Sequence, residues 1–156
     1  MFSKLFEPTG PKLIPMEMRH LGEALAIIAE TDEDDAEEAR LALEARNCSG
    51  MFVLVQKHRI MGITGAVLSE GTDDIAWLSW TYLTSDARKQ GLGRFMIDQL
   101  LGELKQYGVR KIFIATSDYR EDGVEIYADA QAFYLTIGAA EEMRVPIFSA
   151  RYYQFR

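Results

Sequence analysis

Ser85-Asp86-Ala87-Arg88-Lys89-Gln90-Gly91-Leu92-Gly93-Arg94 is the stretch on which the fold turns. Before it, Ile75 to Leu83 is the longest strand candidate, rich in aromatic and aliphatic residues. After it the period changes. Leu92, Met96, Leu100 and Leu104 recur at i, i+4, with Ile97 and Leu101 beside them, which describes one apolar face of a helix ended by Gly108. Lys111 to Thr116 then reads as another strand. A strand–helix–strand step needs a crossover connection, so the two strands are expected to run parallel.

The turn itself is suited to an anion. Gly91 and Gly93 lack a Cβ, so a ligand can approach the main chain closely. The first amides of the following helix have no intrahelical partners, and the helix dipole adds to their pull on a group such as pyrophosphate. Arg88 and Lys89 bring positive charge to a chain of net charge −7. A bare G-x-G after a strand also describes a tight turn with no ligand. Two other phosphate loops are excluded: no G-x-x-x-x-G-K-[ST] occurs, and Met96 stands where the third glycine of a dinucleotide fingerprint belongs.

Further out, Pro8, Pro11 and Pro15 punctuate an irregular lead-in with a first edge strand near Lys12 to Met18. Leu21, Leu25 and Ile28 have helical spacing, and Ala36 to Arg46 is rich in helix formers. Met51 to Val55 and Ile60 to Leu68 read as strands joined by a polar turn, with Gly62 and Gly65 weakening the second or admitting a bulge. Trp77 and Trp80 are expected on opposite faces of their strand. Val124 to Ile137 reads as a helix closed by Gly138, and Met143 to Phe148 and Ala150 to Phe155 as two last strands. The fold class is therefore α/β: a mixed, mostly antiparallel sheet of six to seven strands with about four helices on both faces.

The 156 residues suit a single domain spanning 1–156. The acidic balance disfavours nucleic acid, and it serves either a cationic acceptor or solubility alone. No segment approaches the roughly 20 apolar residues that cross a bilayer, and no signal-peptide pattern is present. With Cys48 alone there is no intrachain disulfide, and a cytoplasmic location is expected. His20, His58 and Cys48 lack metal-ligand spacing, so no metal is expected.

The segment R-x-x-G-x-G at Arg88 to Gly93, opening a helix, resembles the acetyl-CoA motif of the GNAT N-acetyltransferase superfamily. Ala132-Phe133-Tyr134-Leu135-Thr136-Ile137-Gly138-Ala139 resembles that family's F-Y-x-x-x-G-F segment, and the element order agrees. The chain departs from the pattern at Leu83, Ser85 and Ala139, where the family usually has valine, proline and an aromatic.

The resemblance implies an acetyl-CoA-dependent N-acetyltransferase in which a small-molecule amine attacks the thioester directly. Arg88, Lys89, Gln90, Gly91, Leu92 and Gly93 would hold the pyrophosphate, and the backbone of Tyr82 and Leu83 would pair with the pantetheine arm. Tyr134 would assist the departing thiolate, or else it is a core aromatic beside Phe133. With a phenol near pKa 10 and a thiol near 8.5, full proton transfer is uphill by roughly 2 kcal/mol, so a hydrogen bond is the larger expected part of that role. Deprotonating an alkyl amine at pH 7 costs roughly 4–5 kcal/mol. Glu70, Asp73 and Asp74, or the acids from Glu30 to Asp35, are the candidates for receiving that proton through a water relay. Seven carboxylates between Glu30 and Glu38 are either an acidic lip for a cationic acceptor or the capped first turn of a helix. A non-catalytic CoA-binding sensor and a protein acetyltransferase are the alternatives. A homodimer formed by pairing of Arg151 to Phe155 is a further expectation.

Overall fold

Short polar turns fold the middle strands back on one another, and the glycine turn launches the crossover that adds the next strand in parallel. The computed structural model describes residues 10–117, 120–145 and 150–155. In chain order the elements are β1 (Lys12–Pro15), α1 (Leu21–Ala29), α2 (Glu33–Ala45), β2 (Met51–Gln56), β3 (Arg59–Leu68) and β4 (Ile75–Leu83). There follow α3 (Leu92–Gln106), β5 (Lys111–Ser117), β6 (Arg120–Glu121), β7 (Val124–Glu125), α4 (Ala128–Thr136), β8 (Ala139–Val145) and β9 (Ala150–Phe155).

One seven-stranded sheet has the order β1-β2-β3-β4-β5-β9-β8. Only the β4–β5 pair is parallel. This is the mixed, mostly antiparallel sheet expected, and its alternating side chains separate two cores. Val53 and Ile63 pack with Ile28 and Leu43 under α1 and α2. On the opposite face Leu54 and Met61 meet Met96 of α3, Ala76 and Ile112 meet Leu101 and Leu104, and Ile114 and Tyr153 meet Tyr134 of α4.

Three expectations change. The helix expected from Val124 begins only at Ala128, because Val124 and Glu125 pair with Glu121 and Arg120 in a small separate hairpin. The strand expected from Met143 starts at Ala139 instead, directly after Gly138, and residues 146–148 of that expectation lie outside the described residues. Finally, β9 is flanked by β5 and β8, so Arg151 to Phe155 has no free edge for a second copy.

The remaining departure positions the site. Across β3 and β4, Ile63 pairs with Tyr82 and Gly65 with Ser79, so Trp80 and Thr81 together oppose Thr64. This is a β-bulge on β4, and Trp80 takes it up with a left-handed φ of 38°. Gly62 and Gly65 do sit at this irregular pairing, but the extra residue belongs to the other strand. The bulge also reverses the expected orientation of one tryptophan. Trp77 alternates with Ala76 and Leu78, which pack on the α3–α4 face, so it lies on the other face against Phe113 and Tyr152. Trp80 packs with α1 and α2 on that same face.

Candidate functional site

Sequence-local contacts shape the glycine turn first. Thr84 donates its amide to Met61 O at 2.9 Å, closing the end of β4. A short helical turn, Ser85–Ala87, follows. Arg59 holds Asp86 through two bonds of 2.8 and 3.0 Å, and this guanidinium lowers the Asp86 carboxyl to about 2. The Gln90 side chain donates to Asp86 O at 2.6 Å. Lys89 and Gly91 have φ of 60° and 79°, so the chain doubles back before α3 begins.

The two glycines act differently. At Gly91 the φ value is the requirement, and a Cβ there would meet open space. At Gly93 closeness is the requirement: a Cβ would stand 3.1 Å from the Phe133 ring and 3.3 Å from Leu83 Cδ1. Gly91 is the N-cap of α3 and provides no capping side chain. The first amide to bond back within the helix is that of Phe95, to Gly91 O at 3.1 Å. The amides just before it, led by Leu92, Gly93 and Arg94, are thus the free donors of the helix start. With the positive end of the dipole and the exposed Arg88 and Lys89 alongside, the turn has the donor set for a diphosphate.

Beyond the turn the sheet opens. β4 pairs with β5 only from Ile75 to Trp77, and the strands then part. The gap is one wall of a cleft of about 970 Å³ that runs from the α3 N-terminus, past the bulge, to α2. Hydrogen-bonded pairs alternate along an antiparallel ladder. Since Thr84 bonds Met61, Tyr82 also directs its main chain to β3, while Leu83 directs its own to the cleft. Of the two residues expected to offer backbone to a pantetheine arm, Leu83 faces the cleft and Tyr82 does not. The Leu83 carbonyl accepts from Arg88 Nη2 at 3.2 Å, and the same nitrogen reaches Thr31 Oγ1 at 3.1 Å.

Tyr134 enters the cleft from α4, buried between Phe133 and Tyr153 with ring centroids 5.8 and 6.4 Å away. Burial pushes its phenol well above the ordinary tyrosine range, while Thr81 pulls weakly the other way. The group therefore stays protonated and is available as a donor. Its placement beside the bulge suits that role, and its packing also suits a core aromatic.

On the α2 side the cleft holds a cluster that sequence reasoning only half located. Asp32 caps α2 with Oδ1, accepting from the amides of Asp34 and Asp35 at 3.0 and 3.2 Å. Its Oδ2 accepts from the Tyr127 hydroxyl at 2.8 Å. Asp35 Oδ2 accepts from Tyr82 and shares the single Tyr127 hydroxyl proton with Asp32 Oδ2. Tyr127 lies 92 positions from Asp35 and in no motif, so spacing gave no sign of it. Among the acids proposed for proton removal, Asp35 lines the cleft. Glu30 instead accepts from the Ser85 amide at 3.1 Å, and Asp74 pairs with Arg110 at 2.6 Å. Glu70 and Asp73 are exposed and outside the cleft lining. Cys48 is buried, and burial raises its thiol pKa. Among the described residues no group of His, Cys, Asp or Glu is arranged for a metal, and no helix is long and apolar enough to cross a membrane.

Burial first, then the bond to Asp35, also raises the phenols of Tyr82 and Tyr127 above their ordinary value. Groups raised on folding contribute stability that is complete below the unfolded pKa, about 10 for tyrosine, and that is lost as pH climbs toward the folded values. Urea midpoints at stepped pH should therefore fall above about pH 10, and Tyr82→Phe should flatten that fall. An equal alkaline slope in the variant would remove Tyr82 from the linkage.

Comparison with known proteins identifies the family and the fold. The acetyltransferase (GNAT) family model matches residues 16–133. A GNAT-family acetyltransferase from Staphylococcus aureus Mu50 superposes with TM-score 0.74 at 18% identity, covering 94% of this chain and 98% of that one. PaiA N-acetyltransferase from Thermoplasma acidophilum, in complex with coenzyme A, gives TM-score 0.74 at 12% identity, covering 94% and 99%. N-acetylglutamate synthase from Neisseria gonorrhoeae, complexed with coenzyme A and N-acetyl-glutamate, gives TM-score 0.76 at 11% identity, covering 96% of this chain and 36% of that one. No curated protein matches the sequence.

Proposed function

The chain belongs to the GNAT acetyltransferase family, and from that premise we propose that it transfers an acetyl group from acetyl-CoA to the primary amine of a small molecule by direct attack. One observation carries the reading: a single cleft joins the free amides at the start of α3, the parted edge of β4, the Tyr134 phenol and the Asp35 carboxylate. The two structural neighbours crystallised with coenzyme A support the choice of cofactor.

When bound, acetyl-CoA supplies an activated thioester carbonyl. The amides from Gly91 to Arg94, with Arg88 and Lys89, would hold its diphosphate, and the main chain of Leu83 would hold the arm. Gln90 acts indirectly, by bracing the turn through Asp86. Tyr134 would direct its hydroxyl proton toward the thioester sulfur, where negative charge would develop. Its raised pKa makes full proton transfer more uphill than for an ordinary phenol, so the hydrogen bond is the working interaction.

Asp35 meets the amine end. An alkyl ammonium has no lone pair, so it first loses one proton to bulk water, at a cost of roughly 4–5 kcal/mol at pH 7. Asp35 attracts the ammonium and, once the neutral amine has attacked, would take the second proton from nitrogen, directly or through one water, and return it to the departing thiolate or to solvent.

The test is thiol release from acetyl-CoA with a panel of primary amines. Release with at least one amine supports transfer. Tight CoA binding without release from any of them supports the sensor reading instead. Tyr134→Phe is expected to lower kcat about tenfold or more and to leave acetyl-CoA affinity unchanged. An unchanged rate would reduce Tyr134 to a packing residue.

A further inference from the structure

Arg46 stands at the end of the cleft opposite the anion-binding turn. It follows the last turn of α2, and with Ala42 and Asp35 it lines the cleft wall. Its guanidinium is poorly satisfied there. Nη2 donates to Ser79 Oγ at 3.3 Å. Nε is buried with no partner, and burial lowers the pKa of the group. Of the other cleft arginines, Arg88 already has two oxygen partners and Arg94 pairs with Asp98 at 3.8 Å, while Arg40 on the same helix as Arg46 pairs with Glu37 and Glu44 at 2.5 and 3.2 Å. Among the described residues Arg46 has no ion pair with any carboxylate.

A partly buried cation without an anion is costly unless something completes it. The chain carries 24 acidic residues against 17 lysines and arginines, so an acid beside Arg46 would have been easy to supply. A planar guanidinium with an unused edge matches a carboxylate, which it can grip through two parallel bonds. Ser79, its one partner, lies on β4 immediately before the bulge, while Tyr82, which holds Asp35, lies immediately after it. The α2 side of the cleft thus offers a cation before the bulge and carboxylates after it.

We infer that the acceptor is an aminocarboxylate, with its carboxylate bound by Arg46 and its amine directed toward Asp35. This rests on the acetyl-transfer reading above and narrows it to one substrate class.

The experiment compares matched acceptors of several chain lengths: ω-amino acids and lysine, their carboxamides, and alkylamines lacking the group. The full chain is assayed by thiol release. The acids should exceed their carboxamides about tenfold or more in kcat/KM. Arg46→Gln should cost the acids about thirtyfold, mainly through KM, and leave the carboxamides unchanged. Arg46→Lys should restore part of the loss. Unchanged acetyl-CoA affinity in both variants confirms that they fold. Equal use of acids and carboxamides, or an equal loss for both in Arg46→Gln, overturns the inference and leaves acetyl transfer standing. If no amine releases thiol, the transfer reading fails on its own. Calorimetric titration of the CoA-loaded protein with 6-aminohexanoate and lysine then decides the site: binding weakened by Arg46→Gln upholds a carboxylate site, and no binding removes it.

Discussion

Gly91→Glu is expected to weaken acetyl-CoA binding at least a hundredfold. The new carboxylate would stand where the diphosphate is proposed to sit, at the positive end of α3. A like charge about 4 Å away at an effective dielectric near 20 costs about 4 kcal/mol, more than enough for that loss. Two effects must be separated, because Gly91 has φ of 79° and any L-residue there is strained. Gly91→Ala provides the control. It carries the backbone penalty of about 1–2 kcal/mol without the charge, and no neighbouring atom lies within 4 Å of its Cβ. Both variants should lose similar stability by urea titration, while only the glutamate loses the cofactor by calorimetry. Equal affinity in the two would show that the turn does not hold the diphosphate.

Asp35→Asn is expected to lower kcat/KM for the amine by about a hundredfold, the usual range for loss of a positioned general base. The substitution is nearly isosteric, and its oxygen can still accept from Tyr82 or Tyr127, so acetyl-CoA affinity should be unchanged. The pH profile gives the mechanistic readout. The wild-type rate at saturating amine rises with pH, because the bound ammonium loses a proton before it attacks. In the variant it should be lower and rise more steeply, as solvent or hydroxide replaces the carboxylate. A loss confined to KM with an unaltered profile would leave Asp35 an electrostatic anchor and return proton removal to water alone.

How much of this was legible differs from one part of the site to another. The glycine turn and α3 were plain because their signals are local: Gly91 and Gly93 stand between a strand pattern and an uninterrupted helical stripe. The parallel crossover followed from connectivity. The bulge at Trp80 was misplaced because the glycines that suggested it, Gly62 and Gly65, belong to the opposing strand, and nothing in Ile75 to Leu83 marks a left-handed residue. Val124 to Tyr127 read as the start of α4, because a two-residue strand has no period of its own. Among the acids from Glu30 to Glu38 sequence could not choose. Only the tertiary fold brings Tyr82 and Tyr127 to Asp35, and it leaves Asp32 to cap the helix as its position suggested. Arg46 read simply as a helix former, since its want of a partner exists only once α2 lies against β4.

Free main-chain donors at the start of α3 are proposed to grip the diphosphate of acetyl-CoA. Amide chemical shifts during titration of the isotopically labelled protein with coenzyme A report on those donors one by one. The amides of Leu92, Gly93 and Arg94 should move furthest and saturate together. Saturable binding in which those three amides stay still while others shift would contradict the proposal.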